Sequence, residues 1–407
     1  MIEQKQKISF LLGAGFSKPY DNYPIARDIN EKFRNFKASD ITIDSEKSAW
    51  FNEGIIGPNN HHYKQDAKMI EEIISFYRDD IVEREDFHYE DFFDWYKKVQ
   101  FGKIKYKVID NIADKEKSSV YDLMIFFDII FNQLLKNLLT KNLPVKHIPI
   151  THRNFYYLIN KLSQNFTIQI HTLNHDIFIE SLTFDKLTSD GFIEAGSPYY
   201  GELIQSVRIN EIEGLREYTV KLPYFVNKFD APINIYKLHG SLNHYVDQRQ
   251  SNNTLKALHG ISHSHLFKEV NQGNEQNIQL MGGIFNPTFL TGTTFKKSLY
   301  NSTRYLTSVF DHFKNNLNSS RVLIVIGYGF GDKKINNTVR TSFYQKEKRK
   351  IYVVDVSAPK TSIKTIFVSG GVENFNYCKL YENILKFYPD VVEAIEIERK
   401  RLNEFKI

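Results

Sequence analysis

An apolar run close to the N-terminus ends in a glycine turn. Residues Ile8 to Leu12 are largely apolar and have the length of a buried parallel strand. Gly13 and Gly15 follow, and glycine permits a sharp turn with close backbone approach. A helix that begins near Ser17 would point its free N–H groups into that turn, which suits a phosphate group. The stretch therefore predicts either the start of a nucleotide-binding α/β fold or a tight turn without a ligand.

The residues after the turn disfavour a standard dinucleotide-dependent dehydrogenase. That fingerprint needs a third glycine where Lys18 stands, and an acidic residue at the end of a second strand about 20 positions further on. Here the chain continues as a helix to Phe33 and then as a polar connection. The turn has nucleotide-binding character, but hydride transfer is disfavoured.

The composition is typical of a folded protein with two or three structural units. The chain has 407 residues, of which 42% are hydrophobic and 14% aromatic, too many for a disordered protein. Its 53 basic residues nearly balance 48 acidic ones, and the basic residues are scattered. We therefore expect no direct binding of nucleic acid.

The cysteine count and the hydropathy pattern predict a cytoplasmic protein without a membrane span. The only cysteine, Cys378, excludes an internal disulfide and a four-cysteine zinc site. No apolar signal core precedes a small-residue cleavage site at the N-terminus. The most apolar segment, Val120 to Leu139, is interrupted by charged and amide side chains, so we expect a core helix there.

Five predicted strands each end in residues that carry chemistry. The strand ends are Gly-Ala-Gly-Phe-Ser at 13–17, Thr-Leu-Asn-His-Asp at 172–176, His-Gly-Ser at 239–241, Gly-Tyr-Gly-Phe-Gly-Asp at 327–332, and Asp355. A doubly wound parallel sheet gathers such ends into one crevice. We therefore predict a Rossmann-like doubly wound α/β fold with a single site at the carboxyl ends of its strands.

The remaining segments are predicted from periodicity and turn content. Residues 30–150 show helical patterning with no convincing strand, and residues 295–318 predict a long helix. Residues 184–232 are predicted to be rich in loops, with a possible hairpin at 218–226, and residues 246–278 a polar surface loop. That loop contains His259, His263 and His265, but we expect no metal site.

Taken together, the strand ends resemble the sirtuin family, and more closely its bacterial branch that destroys NAD in antiphage defence. The family's Gly-Ala-Gly-x-Ser matches Gly13, Ala14, Gly15, Phe16 and Ser17. Its Thr-x-Asn-x-Asp matches Thr172, Asn174 and Asp176, and its His-Gly matches His239 and Gly240. The branch's Gly-Tyr-x-x-x-Asp resembles Gly327 to Asp332. These short matches gain specificity from their order along the chain.

Two departures from the deacylating sirtuins bear on the reaction. Their four-cysteine zinc ribbon is missing, and residues 23–28 (Tyr-Pro-Ile-Ala-Arg-Asp) replace their Gly-Ile-Pro-Asp-Phe-Arg segment. The resemblance therefore implies an NAD glycohydrolase that needs no metal and yields nicotinamide and ADP-ribose, as an abortive-infection effector that depletes NAD. The alternatives are a regulatory subunit that binds NAD or an ADP-ribose derivative without turnover, and an NAD-dependent deacylase.

The resemblance also implies roles for individual residues. Asn174 would position the attacking water or a ribose hydroxyl, and His239 would take a proton, since imidazole titrates near about pH 6.5. Asp176 would orient the loop or the nicotinamide side. The NAD-binding set comprises Gly13, Ala14, Gly15, Phe16, Ser17, Thr172, Gly327, Tyr328 and Asp355, the last accepting from the adenosine ribose. The bland alternative for Asn174 and Asp176 is an Asx turn, and His175 and His244 are interpreted as structural.

The sequence pattern and the resemblance also predict the domain organisation and the partners. Residues 1–29 and 146–360 are predicted to form the sirtuin-like NAD-binding catalytic domain. Residues 30–145 form an inserted helical module, and residues 361–407 form a C-terminal helical segment packed on the core. The family implies homo-oligomers, and some members assemble with a HerA-type ATPase.

Overall fold

A computed structural model gives the fold. It describes residues 5–37, 41–43, 49–51, 67–79, 88–115, 119–121, 123–124, 134–135, 138–139, 148–193, 203–211, 214–221, 223–247, 253–256, 266–272, 275–280, 287–289 and 303–404. The predicted core helix at 120–139 falls largely outside these ranges, as do His259, His263 and His265.

A seven-stranded sheet in which all paired strands are parallel forms the centre of the molecule. In chain order its strands are β1 (Lys7–Leu12), β2 (Thr167–Thr172), β3 (Thr188–Ser189), β4 (Ile233–Lys237), β5 (Val322–Ile326), β6 (Lys350–Asp355) and β7 (Ile366–Ser369). Their order across the sheet is β7-β6-β5-β1-β2-β4-β3. Five of these strands are the ones predicted: β1, β5 and β6 from largely apolar runs, and β2 and β4 from their β-branched and aromatic residues.

The strand order reverses at β1. This strand pairs with β2 on one side and β5 on the other, so Leu12 lies level with both Thr172 and Ile326. The carboxyl ends of the three strands therefore meet at one point of the sheet edge. In open α/β sheets this switch point is where a ligand crevice forms. The predicted Rossmann-like doubly wound sheet is confirmed.

Helices cover the sheet and form most of the described remainder. Their bounds are Ala14–Ser17, Ala26–Asn35, Ala67–Tyr77, Tyr89–Gln100, Lys107–Lys115, Arg153–Ser163, Phe178–Ser181, Arg304–Ser319, Lys333–Val339, Gly371–Asn374, Tyr377–Leu385 and Pro389–Glu404, with a 3₁₀ turn at Ile150–His152 and a π-helical turn at Arg340–Tyr344. The helix predicted at 295–318 is described from Arg304, where Thr303 caps it. Within the described ranges, none of these helices combines the length and apolarity needed to cross a bilayer.

Antiparallel strands occupy three segments for which we predicted helices or loops, with a hairpin at 218–226 as the one exception. A five-stranded sheet has the order 287–289, 240–247, 253–256, 224–228, 191–193, and a four-stranded sheet has the order 275–280, 266–272, 203–211, 214–221. A short hairpin joins Ile41–Ile43 to Ala49–Phe51. The loop-rich and strand-free predictions for these segments are therefore wrong. The hairpin predicted at 218–226 does not form either, because Gly214–Lys221 and Tyr224–Lys228 belong to different sheets. Antiparallel strands do not need continuous apolar runs, so composition alone resembles that of loops.

The helices between β1 and β2 share a hydrophobic cluster of their own. Its fully buried members include Phe33, Tyr77, Phe92 and Leu135, and Leu242 joins it from the strand after β4. Eight of the 21 buried members that the structure describes are aromatic, and such large rings bury much apolar area per residue. The aromatics predicted to pack at 89–96 do so. The boundaries 30–145 stay a prediction.

The buried hydroxyl of Tyr388 ties the C-terminal segment to the start of the sheet. It donates to the backbone oxygen of Lys7 at 3.0 Å and accepts the N–H groups of Arg321 and Val322, each at 3.2 Å. One side chain thereby links the helical C-terminal segment to β1 and to the start of β5. This position follows from the helix turn at 385–388, which sequence patterning alone does not reveal.

We expect Tyr388→Phe to lower the free energy of unfolding by about 1–3 kcal/mol, because buried N–H and carbonyl groups lose their partner while the ring packing is kept. Urea denaturation followed by circular dichroism measures this. Tyr344→Phe is the matched control, since Tyr344 is 39% exposed. Equal midpoints for the two variants would show that the hydroxyl contributes nothing.

Candidate active site

A cleft of about 1780 Å³ opens at the carboxyl ends of β1, β2 and β5. Most of the predicted site residues line it: Gly13, Ala14, Gly15, Asn174, Asp176, His239, Gly327, Tyr328 and Asp355. The structure thus brings together turns that are far apart in the sequence. Their roles toward a ligand stay predictions.

Three predicted NAD-binding residues lie behind the cleft instead of lining it. Phe16 is fully buried, and its ring packs against those of Phe155 and His152. Ser17 and Thr172 are also buried, and both accept hydrogen bonds from Asn174. These side chains support the wall of the cleft.

The two glycine turns interlock. The N–H of Gly13 donates to the Ile326 oxygen at 3.0 Å, and that of Gly15 donates to the Gly327 oxygen at 2.9 Å. A Cβ atom on Gly13 would lie 2.6 Å from the Gly327 oxygen. The glycines are therefore needed for the close approach of β1 and β5 ends. A phosphate at this turn would be met by groups other than these two N–H donors.

The helix after the first turn begins at Ala14 and spans four residues, so the expected start near Ser17 is wrong. A second helix starts at Ala26, where the Asp28 carboxylate accepts the Ile25 N–H at 3.1 Å. The same carboxylate pairs with Lys18 at 2.7 Å, which lowers the pKa of Asp28. This pair stabilises the loop between the two helices.

Asn174 is held against the first glycine turn. Its amide nitrogen donates to the Gly13 oxygen and to the Ser17 hydroxyl, both at 3.0 Å. Its backbone N–H donates to Thr172 Oγ1 at 3.1 Å, and the side chain is nearly buried. With both amide hydrogens directed at the protein, the side-chain oxygen is the atom left to accept from a ligand.

Asp176 fits the Asx-turn alternative. One of its carboxylate oxygens accepts the N–H of Phe178 at 3.0 Å, at the start of the helix Phe178–Ser181. Burial raises the pKa of Asp176, while nearby Lys237 and hydrogen bonds from Phe178 and Ser17 act in the opposite direction. The carboxyl group still lines the cleft.

A buried network of ion pairs supports the loop that carries Asp176. Lys237 donates to the backbone oxygen of Asp176 and lies 3.7 Å from Glu180. Glu180 also pairs with Lys256 at 2.7 Å, and Lys256 pairs with Asp190. Burial lowers the pKa of Lys237, an effect that the carboxylates of Glu180 and Asp176 oppose. Because Lys237 is the last residue of β4, the network also fixes the turn that carries His239.

His239 faces a carboxylate that the sequence did not single out for a role. Its Nε2 lies 3.3 Å from Asp332 Oδ2, and the two side chains are 7% and 12% exposed. The other oxygen of Asp332 caps the helix Lys333–Val339 by accepting the N–H groups of Lys334 and Ile335 at 2.9 and 3.0 Å. The cap fixes the carboxylate, and the carboxylate orients the imidazole. An aspartate directly before a helix was the available signal.

Tyr328 and Asp355 are both engaged by neighbouring backbone. The Tyr328 hydroxyl donates to Asn336 Oδ1 at 3.0 Å and accepts the Asp332 N–H at 3.2 Å, which braces the second glycine turn. One carboxylate oxygen of Asp355 accepts the Val356 N–H at 2.7 Å. Asp355 stands at the end of β6, one strand beyond the glycine turns.

His152 is a supporting residue that sequence reasoning missed. It is fully buried, and its Nε2 donates to the Phe16 oxygen at 2.7 Å while Nδ1 lies 2.9 Å from the Thr151 hydroxyl. Burial lowers the pKa of His152 to about 4, although the bond to Phe16 acts in the opposite direction. The neutral ring therefore holds the helix that follows the first glycine turn.

The pKa of His152 predicts a loss of stability in acid. The unfolded chain binds a proton at this histidine below about pH 6.5, whereas the folded chain does so only near pH 4. The contribution of His152 to the free energy of unfolding is complete above pH 6.5 and is lost as the pH falls towards 4. About 2 kcal/mol of this contribution is lost by about pH 5. His152→Gln keeps a donor for Phe16 without the titration. Urea denaturation at about pH 8 and about pH 5 should show a smaller loss for the variant; parallel losses would contradict the assignment.

The described parts of the chain contain no group of three or more His, Cys, Asp or Glu side chains placed to hold a metal ion.

Comparisons with known proteins give structural likeness only. No family model matches the chain, and no curated protein matches it. A solved structure of a mutant Sir2 homologue with ADP-ribose is 11% identical with a TM-score of 0.39, covering 96% of this chain and 94% of that one. A Sir2 homologue–NAD complex is 11% identical (TM-score 0.38, 96% and 91% covered), and a structure described as the basis of sirtuin substrate affinity is 10% identical (TM-score 0.34, 94% and 93% covered).

Proposed function

We propose that the chain is an NAD glycohydrolase, which cleaves NAD with water to nicotinamide and ADP-ribose. The observation that carries this proposal is the meeting of two polar groups in one cleft. Asn174 is braced by the first glycine turn, and His239 is oriented by Asp332. Both line the cleft that opens at the switch point of a doubly wound sheet, where such folds bind nucleotides.

The chemistry needs few protein groups. The bond between ribose C1′ and the pyridinium nitrogen breaks, and its electron pair stays on nitrogen, so nicotinamide leaves neutral. The ribose passes through an oxocarbenium-like state, and the oxygen of water then bonds to C1′ and loses a proton. A base, a group that positions water, and a site closed to bulk solvent are sufficient.

His239 is the proposed base. The Asp332 carboxylate beside Nε2 favours the tautomer that carries its proton on Nε2, which puts the basic lone pair on Nδ1. As the imidazole takes a proton from water or from a ribose hydroxyl, the same carboxylate stabilises the cation that forms. Asn174 is the proposed positioning group, since its side-chain oxygen can accept from that water or hydroxyl.

The cleft also fits the rest of the dinucleotide. Arg27 and Lys333 line it and supply positive charge for a diphosphate, whereas Lys18 lines it as the partner of Asp28. Asp355 lies at the end of β6 and offers a carboxylate to a ribose hydroxyl. Because the Gly13 and Gly15 N–H groups donate to β5 and the turn after it, side chains take a larger share of diphosphate binding in this proposal.

The experiment is an assay of both products. Purified protein incubated with NAD should release nicotinamide and ADP-ribose in equal amounts, without an acyl-lysine peptide. We expect Asn174→Ala to lower the rate by about 10- to 100-fold, because the water is no longer positioned. Asn315→Ala, at an exposed helix position, is the matched control. Binding of NAD without products would favour the regulatory subunit, and turnover only with acyl-lysine peptide would favour the deacylase.

The proposal extends to the biological role and the assembly. Continuous NAD cleavage would deplete the cell of NAD, which suits an abortive-infection effector in antiphage defence. We propose that the chain forms a homo-oligomer. We further propose that this oligomer assembles with a HerA-type ATPase or another defence protein. Gel filtration with light scattering tests this, and a monomeric mass at micromolar concentration would remove the homo-oligomer.

A further inference from the structure

His175 is a second imidazole in the cleft, between Asn174 and Asp176. It lines the cleft and is 7% exposed. The centroid of its ring lies 6.0 Å from that of His239, with an interplanar angle of 33°. His175 has no role in the proposed reaction, in which His239 is the base and Asn174 positions the water. From the sequence it was interpreted as structural.

The backbone around His175 fixes this placement. Its carbonyl oxygen accepts the N–H of Leu242 at 3.0 Å and faces the Ser241 hydroxyl at 3.4 Å. The N–H of Leu238 donates to the Thr172 oxygen at 2.9 Å. The turn that carries His175 and the turn that carries His239 are thus joined on both sides. The backbones of the two turns cannot move apart without breaking these bonds.

We propose that His175 makes the cleft select for the charge of the bound nicotinamide ring. This inference rests on the proposed function, which places the pyridinium of NAD beside Asn174 and His239. A neutral His175 tolerates the cationic ring, whereas a protonated His175 repels it. At low exposure solvent screens such like-charge repulsion weakly.

The charged and titratable neighbours of His175 bear on whether its ring carries a proton. His239 faces it from the turn after β4, and Asp332 lies beyond His239 at the start of the next helix. Asp176 follows His175 directly in the chain, and Lys237 donates to the backbone oxygen of Asp176. A positive charge on His239, beside Asp332, would repel a positive charge on His175.

The test compares NAD with NADH, which have the same outline but carry a cationic and a neutral nicotinamide ring. Both are titrated calorimetrically into His239→Gln, a background that we expect not to cleave NAD and that removes the repulsion from His239. Between about pH 8 and about pH 5.5 the affinity for NAD should fall about tenfold more than the affinity for NADH. In His239→Gln combined with His175→Asn this difference should disappear.

A permanent charge gives an independent arm. His175→Lys in the same background should bind NAD at least about tenfold more weakly than NADH even at about pH 8, relative to His175→Asn. Melting temperatures identify variants that fail to fold, and His175→Gln replaces His175→Asn if needed. A pH effect that survives the loss of His175, or no pH effect in either background, overturns the inference. If the wild-type chain releases no nicotinamide but the variants still show the difference between NAD and NADH, the proposed hydrolase is wrong and the proposed role of His175 stands.

Discussion

Asp332→Asn is expected to slow nicotinamide release by about 10²- to 10⁴-fold while the fold is retained. Asparagine is as good a helix cap as aspartate, so its side-chain oxygen keeps the N–H groups of Lys334 and Ile335. The other carboxylate oxygen, now an amide NH₂, would face Nε2 of His239. An amide donor at this place favours the tautomer of His239 whose lone pair is on Nε2, so Nδ1 carries the proton and cannot act as the base. The variant also lacks the carboxylate charge that stabilises the imidazolium.

Steady-state rates for wild type, Asp332→Asn, His239→Gln and the double variant measure this. If the pair acts as a unit, the double variant should lose little more than the worse single variant. Asp311→Asn is the matched control, because Asp311 also lines the cleft but is exposed and pairs with Lys314 at 3.6 Å. A rate for Asp332→Asn within about twofold of Asp311→Asn would show that the carboxylate plays no part in the reaction.

Gly327→Ala should destabilise the folded chain by about 3 kcal/mol or more, or prevent its folding. Gly327 has a φ angle of +61°, in the left-handed region that favours glycine. A Cβ atom there would lie 2.6 Å from the Cα of Gly15 and would overlap the adjoining peptide at Phe16. The first glycine turn would have to move, and with it the carbonyl that Asn174 holds.

Gly329→Ala separates this steric effect from the general cost of replacing a glycine. It stands two residues along in the same turn, lines the cleft, and its added Cβ would have no atom within 4 Å. Soluble yield and urea denaturation compare the two variants. Similar unfolding midpoints for both would contradict the interlocked turns.

Much of the central sheet was predictable from the sequence, and the reason is burial. A strand such as Val322–Ile326, covered on both faces, must be apolar at every position, so it stands out from its surroundings. The edge strands Thr188–Ser189 and Ile366–Ser369 were missed because they are short and partly exposed. The antiparallel sheets were missed for another reason, since their strands are rich in polar residues, as in Gly-Ser-Leu-Asn-His at 240–244, and so lack a continuous apolar run.

The candidate site was only partly predictable. Asn174 and His239 were identified because polar residues follow buried strands at the sheet edge where ligands bind. Asp332 and His152 received no role, because each acts through one distant partner, His239 or the Phe16 carbonyl. Phe16, Ser17 and Thr172 were assigned to the ligand because the motif contains them, yet they face the interior.

By itself, the sequence determined which segments form buried strands and where the glycine turns fall, because apolar continuity and the freedom of glycine are local properties. Only the tertiary structure decided that Gly13 and Gly15 pack on Gly327, that His239 meets Asp332, and that His175 lies beside His239. Such contacts join residues distant along the chain, so they depend on strand order and register. Those are set by packing over the whole sheet, which no single stretch of sequence encodes.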